Sequence, residues 1–416
     1  MGDSEIKTTA KAVRRLTVTK QHLAGRRPTR GTGEDILKLV RDIAYVQWDP
    51  ITIVAPSHVL SLWSRLGDFK LSDLEGLLWN EKKVFQHWTP IASIVLTEDY
   101  PLYYSLMKRY PESLSHSWGN NITKAKKFLA SHQGLRSRVL NDLKKGPLQL
   151  GQFSDYVRTK RSTDGWSSGS DVSDMLFHLM MKGEVMVVGH DGNQNVWGLA
   201  DDFLPEWVEK KVISEGELER EMAQRAIRAM GTATSSEIVY HYIRGRYQNI
   251  KRALSQLEDD SLIQRVAVEG IGTKQARFIH ERDIPLLDEM EGSGWHPRVS
   301  LIAPFDNLIA GRGWTNAVFG FDYVHEQFLP KNKRKYGTYV LPILWGENLI
   351  GRVDPRLDKE KQVLIVNSVH AEPRAPEGRE VALKINETIE DLARFIGAKE
   401  VEYTGQVPGS WSSALR

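Results

Sequence analysis

The chain reads as an α+β protein: tandem helix-turn-helix units of the winged type, followed by a β-rich, barrel-like C-terminal domain. Two observations predict this. Between about residues 134 and 277 one helix–strand skeleton occurs twice, and beyond about residue 285 it gives way to short apolar and aromatic runs broken by Gly, Pro and Asp. At 416 residues the chain has room for two to four domains, each with its own core. Twelve tryptophans and an ordinary hydrophobic content exclude a disordered chain.

The first thirty residues are basic. Lys7, Lys11, Arg14, Arg15, Lys20, Arg26, Arg27 and Arg30 face only Asp3 and Glu5. Lys7 and Lys11 read as a solvated tail. The stretch from Arg14 to Arg30, with Arg14 and Arg15 at its head, is a candidate phosphate-tracking arm. The net charge of +3 is too small to announce a nucleic-acid binder by itself.

Ile36, Leu39, Val40 and Ile43 then recur at helical spacing and run into a short strand, Tyr45-Val46-Gln47-Trp48-Asp49, that Pro50 ends. Alternation along a strand predicts Val46 and Trp48 in a core, with Gln47 and Asp49 looking out together. Their Cα atoms would stand roughly 6.5 Å apart, enough to hold a water between the side chains. A carboxylate that takes a proton beside an amide that orients a water is a minimal hydrolytic site, although an exposed Gln-x-Asp is also an ordinary polar face.

The repeat comes next. Gly146-Pro147-Leu148 leads to Phe153 and Tyr156, and Gly231-Thr232-Ala233 leads to Ile238 and Tyr242. A helix with one skeleton follows each: Leu176, Leu179, Gly183 in the first and Leu254, Leu257, Ser261 in the second. Apolar strands follow, Val185–Val188 and Leu262–Val266, and Asp191-Gly192 turns the first into a return strand through Val196–Leu199. Helix, turn, helix and hairpin is the element order of a winged helix, which sets its second helix in a major groove. Ser235 with Glu237 marks one helix start, and Lys251 and Arg252 open the candidate recognition helix. The expected divisions are 1–133, a first unit carrying the Gln-x-Asp motif; 134–212 and 213–285, the second and third units; and 286–416, the β domain. In that last domain Tyr339–Leu344 and Val363–Val366 read as strands, residues 379–396 as a closing amphipathic helix, and the final residues as frayed.

Composition removes several chemistries. Without cysteine there are no disulfides, thiol nucleophiles, iron–sulfur clusters or cysteine-ligated zinc, which fits a cytoplasmic, nucleoid-associated protein. No apolar run reaches the roughly 20 residues of a membrane span, and no signal-peptide pattern opens the chain. Asp306, Asp322, Glu326 and Asp354 form an acidic set, but Arg312, Lys333, Arg334 and Arg352 are interspersed, so internal salt bridges account for both more simply than a metal. No metal and no cofactor are expected.

Three stretches together resemble the winged-helix interstrand-crosslink-repair DNA glycosylases, the YcaQ/AlkZ family. They are Val46-Gln47-Trp48-Asp49-Pro50 with His58 and Arg65; Pro304-Phe305-Asp306-Asn307-Leu308 with Arg312, Phe319–Tyr323 and Glu326; and Lys333–Gly337 with Tyr339, Leu341–Gly346 and Gly351–Asp354. The resemblance implies three tandem winged helices with a C-terminal β-barrel, and a catalytic pair at Gln47 and Asp49, the aspartate version of the motif. His58 and Arg65, seven residues apart on one helical face, are candidate phosphate contacts near the lesion or, equally, a helix-surface pair with a structural hydrogen bond. A histidine common in the family after the first motif is replaced here by Pro90, within His87-Trp88-Thr89-Pro90, a departure that bears on lesion range.

The implied activity is monofunctional hydrolysis of N7-alkylguanine from double-stranded DNA, including interstrand crosslinks and bulky adducts, in repair or in self-resistance to a genotoxin. N7 alkylation makes the base a cationic leaving group that needs no general acid, so one carboxylate suffices where glycosidases of sugars use two. Asp49 would stabilise charge at the sugar and activate water; Gln47 would orient that water. Guanine N7 faces the major groove, and a crosslinked base cannot be extruded alone, which favours an open, groove-docked site acting as a monomer. The alternative from another class is a non-enzymatic winged-helix regulator or lesion-binding protein.

Overall fold

The computed structural model describes residues 5–89, 91–114, 121–154, 170–272 and 275–415; Pro90 and Tyr156 lie outside them. The chain starts with β1 (Ile6–Thr9) and α1 (Ala10–Lys20), whose first turn is capped by Thr9. A first unit follows: α2 (Gly33–Ile43), β2 (Val46–Gln47), α3 (Ser57–Leu66), α4 (Leu71–Glu75), β3 (Val84–Trp88) and β4 (Ala92–Leu96). After α5 (Tyr100–Lys108) comes a second: α6 (Asn121–Ser131), α7 (Gln133–Leu143), β5 (Leu148–Gln149), α8 (Asp171–Met181), β6 (Val185–Asp191) and β7 (Gln194–Leu199). Past α9 (Ala200–Phe203) the third unit is α10 (Glu215–Met230), β8 (Thr232–Thr234), α11 (Ser235–His241), α12 (Ile250–Asp259), β9 (Ile263–Glu269) and β10 (Arg277–His280). α13 (Ile284–Glu291) leads to the C-terminal block: β11 (Val299–Leu301), α14 (Arg312–Phe319), β12 (Leu341–Trp345), β13 (Asn348–Asp358), β14 (Val363–Ala371), α15 (Arg379–Phe395) and β15 (Glu400–Tyr403).

In each of the three units a short strand pairs with the second arm of the later hairpin, giving sheet orders β2-β4-β3, β5-β7-β6 and β8-β10-β9. The repeated sequence skeleton has a clear local purpose. Leu176 and Leu179 of α8 and Leu254 and Leu257 of α12 are buried, and each helix stops at a residue with positive φ, Gly183 (+70°) and Ser261 (+57°), before the hairpin begins. Gly183 has a second reason to be glycine, because a Cβ there would stand 2.7 Å from Met107 Sδ. Thr32 and Thr234 cap α2 and α11 through capping boxes to Asp35 and Glu237, and the third-unit helix begins at Ser235, the expected position.

Three expectations need correction. β1 and α1 do not stay with the first unit, nor do they form an arm: β1 runs parallel to β9, with Ile6 opposite Val266, and α1 packs against α13. The barrel-like region is an open, curled five-stranded sheet, β11-β12-β13-β14-β15, bent at bulges near Ile343/Leu344 and Asp354/Pro355. The apolar face of α15 (Val381, Ile385, Ile389, Leu392) joins the same core as Ile343, Val353 and Leu364. The final residues are not frayed, since β15 pairs with β14 and Trp411 is fully buried, donating its Nε1–H to the Pro376 carbonyl (3.0 Å).

Of the acidic set of the C-terminal block, Asp306 forms an internal salt bridge as expected, while Asp354 and Glu326 are held by backbone amides. Asp354 accepts the Thr338 and Tyr339 amides (3.0 and 2.8 Å), Glu326 those of Tyr336 and Gly337 (2.7 and 3.1 Å), and Asp306 pairs with Arg65. Among the described residues no group of three or more His, Cys, Asp or Glu side chains could hold a metal ion, and no helix is long and apolar enough to cross a membrane.

Candidate active site

α2 ends at Ile43, and the chain reverses through Ala44, which adopts a left-handed φ of +75° that a side chain disfavours. Two residues from other units hold this turn. Asn307, buried in the C-terminal block, donates its amide to the carbonyls of Ile43 (3.1 Å) and Tyr45 (2.8 Å). His241, at the end of α11, also bonds the Ile43 backbone and packs its ring on Tyr45 (5.4 Å). β2 is thereby clamped before it pairs with β4, Val46 against Ile94 and Gln47 against Ser93.

Beyond Gln47 the strand geometry stops, so simple alternation fails where it was expected to continue. Asp49 turns back on itself: its Oδ1 accepts the Ile51 amide (2.9 Å) and its carbonyl accepts the Ser57 amide (3.2 Å), launching α3. Asp49 is consequently 7% exposed, while Trp48 is only half-buried. Burial pushes the Asp49 pKa up, and the Ile51 N–H opposes the shift without cancelling it.

Trp48 is sandwiched. His58 stacks on one ring at 4.0 Å and 13°, and His190, from the β6–β7 hairpin, stacks at 4.7 Å and 14°. Burial drives His58 down to about 3, so it is a neutral, 5%-exposed ring and not the phosphate contact the sequence suggested. His190 is lowered for the same reason, and its Nε2 sits 2.8 Å from the Gln86 amide nitrogen. The hairpin of the second unit thus braces the motif of the first.

Arg65 requires the same correction. Its side chain is fully buried and forms a bidentate pair with Asp306 (2.5 and 2.8 Å), with further bonds to Gln21 and Ser61 oxygens. It ties α3 to the segment that carries Asn307 and is closed to a phosphate. Arg15 is likewise occupied: it donates to the Met290 and Gly292 carbonyls (both 2.9 Å) and lies over Trp295 (5.0 Å). Arg14 beside it is half-buried, and burial lowers its pKa. Lys251 and Arg252 are exposed on the first turn of α12, as expected, but they lie away from Gln47 and Asp49; Arg252 lines a separate recess with Glu219 and Asp260.

Gln47 and Asp49 line the same cavity, of about 1590 Å³. Its wall is assembled from every part of the chain: Trp48 and Ile51 from the first unit, Trp197 from the second, Tyr240 and Arg244 from the third, Phe305, Arg312 and Phe328 from the C-terminal block. Glu237 also reaches it, but that carboxylate is engaged by Arg277 (2.9 Å) and by the cap of α11, and no lysine is among the described lining residues. Arg244 lies over the Tyr240 ring (4.7 Å), and Arg312 is exposed near His325, whose pKa burial brings to about 4. The arrangement offers the Asp49 carboxylate with its raised pKa, the Gln47 amide beside it, aromatic walls and two guanidinium groups. Tyr240, His241, Arg244 and Phe328 carry no motif that sequence could have flagged; Asn307 and Arg312 stood in a recognisable block but without a role.

A family model described as DNA glycosylase AlkZ-like matches residues 40–395. Among solved structures, Streptomyces sahachiroi DNA glycosylase AlkZ superposes with a TM-score of 0.65 at 15% identity, covering 96% of this chain and 100% of that one. The two share a mixed α+β fold.

Proposed function

The chain belongs to the AlkZ-like DNA glycosylase family, and from that premise we propose that it hydrolyses the N-glycosidic bond of N7-alkylguanine, including crosslinked and bulky adducts. The observation that carries this reading is the placement of Gln47 and Asp49 on one wide cavity walled by aromatic rings and two guanidinium groups. Asp49 is the general base and the electrostatic partner of the cationic sugar; Gln47 orients the attacking water. Because the alkylated base leaves without a proton, a single carboxylate is enough, and with no lysine among the described lining residues to form a Schiff base the product is an abasic site. A cavity of this size accepts a base still tethered to the opposite strand, which a close-fitting pocket would not.

The three repeated units are read as winged helices, supported by their shared element order and strand pairing. Their boundaries fall near 133, 212 and 285, with residues 6–20 joined to the third. Double-stranded DNA lies across them and the protein acts as a monomer; Lys251 and Arg252, exposed at the start of α12, are retained as backbone contacts.

The test is release of free base from duplexes carrying N7-methylguanine or a nitrogen-mustard crosslink. Wild type releases base from both, and Asp49→Asn and Gln47→Ala abolish or cripple release while binding DNA as before. Tight binding with no release from either lesion by wild type would overturn the lesion assignment.

A further inference from the structure

Seven large apolar side chains are exposed among the described residues, and three of them, Ile51 (38%), Tyr240 (43%) and Phe328 (69%), line the active-site cavity. Single exposed apolar residues are ordinary, but three around one opening mark a contact surface. Phe328 is the most exposed of the seven. It sits on a 3₁₀ turn, Glu326–Phe328, between the aromatic wall and a basic segment.

That turn is held rigidly from behind. Glu326 is buried and accepts two backbone amides, those of Tyr336 and Gly337. Arg334 donates to the Leu329 carbonyl (2.9 Å), the Gln327 carbonyl (3.3 Å) and Thr338 Oγ1 (2.8 Å). On the cavity side, Phe305 stacks on His325 (4.4 Å), and both approach Phe328 only by edge or tilt, at 6.4 and 6.5 Å. Burying a phenylalanine stabilises a protein, so a braced turn that holds the ring exposed forgoes that gain in the free protein. Lys331 and Lys333, on the next turn, are exposed beside it.

An aromatic ring held out rigidly beside a base-processing cavity and flanked by ammonium groups is complementary to stacked bases edged by phosphates. We propose that Phe328 inserts into the base stack of duplex DNA next to the lesion, with Tyr240 and Ile51 closing on the displaced base and Lys331 and Lys333 on the adjacent phosphates. Insertion unstacks one base step and bends the duplex, as apolar wedges do elsewhere. The modified guanine then reaches Asp49 while its crosslinked partner remains within the duplex. This inference rests on the glycosylase reading of the same cavity.

The experiment uses the full chain and a duplex in which 2-aminopurine adjoins a 2′-fluorinated N7-methylguanosine, whose glycosidic bond resists hydrolysis. Wild type raises the 2-aminopurine fluorescence on binding. Phe328→Ala loses most of that rise and binds the damaged duplex about ten- to a hundred-fold more weakly, the range expected for one lost base–aromatic stack; Phe328→Trp restores both. Because the ring is exposed, Phe328→Ala keeps the wild-type melting temperature, which separates the effect from misfolding. Fluorescence or affinity unchanged in Phe328→Ala, or no fluorescence rise with wild type, overturns the proposal. Base release by wild type from the hydrolysable duplex, measured alongside, shows whether the wedge alone or the underlying glycosylase reading has failed.

Discussion

Asp306→Ala removes one half of a fully buried ion pair, and its cost can be worked from the contacts. The Arg65 guanidinium has no solvent exposure, and Asp306 accepts from it at 2.5 and 2.8 Å while also accepting the Leu308 amide at 2.9 Å. Deleting the carboxylate leaves a charge in a dry interior and an unpaired amide, so the loss is about 3–5 kcal/mol. That is a large share of the roughly 5–15 kcal/mol that holds a typical domain together. Removing both charges in Arg65→Met/Asp306→Leu restores at least about half of the loss, because the uncompensated charge is the dominant cost. Recovery stops short of complete, since the two Gln21 oxygens that Arg65 satisfied lose their donor, whereas the Ser61 carbonyl keeps the Ser64 hydroxyl. Urea denaturation followed by tryptophan fluorescence reads both values. A loss under about 1 kcal/mol for Asp306→Ala, or a double variant no more stable than the single, would refute the account. The double variant settles the role of Arg65 toward DNA: folded Arg65→Met/Asp306→Leu keeps the wild-type dependence of log K on log salt, whereas a slope smaller by about 0.9 would return Arg65 to the phosphates.

Other outcomes follow from the site and its surroundings. Burial raises the Asp49 pKa, and the base must be ionised to act, so the acid limb of the single-turnover rate of base release lies above the ordinary aspartate value of 3.8; a limb at or below it would separate Asp49 from the base. Asn307→Ala leaves the Tyr45 carbonyl without its donor, while His241 still bonds the Ile43 backbone, so the cost is about 1–3 kcal/mol, and because the clamp on Ile43 and Tyr45 aims the motif, kcat falls about 10–100-fold with little change in DNA affinity. Equal losses in kcat and affinity would mean that Asn307 only supports the fold. Burial holds His58 and His87 near 3 and His178, His241 and His325 near 4, below the unfolded value of 6.5. The folded state therefore binds fewer protons than the unfolded between those values, and stability present above pH 6.5 is lost as pH falls toward 4. Asp99, raised to about 6 by burial, and Asp49, also raised, work in the opposite direction but are two groups against five. Urea midpoints should drop between pH 7 and 5, and a flat profile would contradict the buried neutral histidines.

The features legible in the sequence were those set by local periodicity. The twofold skeleton ending at Gly183 and Ser261, the strands around Leu341 and Leu364, and the closing helix from Arg379 all occur where the spacing of apolar and turn residues placed them. The Gln-x-Asp stretch could also be singled out by its residue types and neighbours, and both of its polar residues line one cavity. What the sequence could not decide was which distant segments meet. Arg65 looked like a phosphate ligand because arginine on a helix usually faces solvent, and only the approach of Asp306, 241 positions away, turned it inward. β1 belongs with β9 rather than with its sequence neighbours, because a strand edge is satisfied by whichever partner the fold brings alongside. The cavity is the clearest case. Its carboxylate comes from a turn after β2, its aromatic walls from all the units and its clamp from Asn307, so it exists only after long-range packing has closed, and no local pattern in the chain encodes that closure.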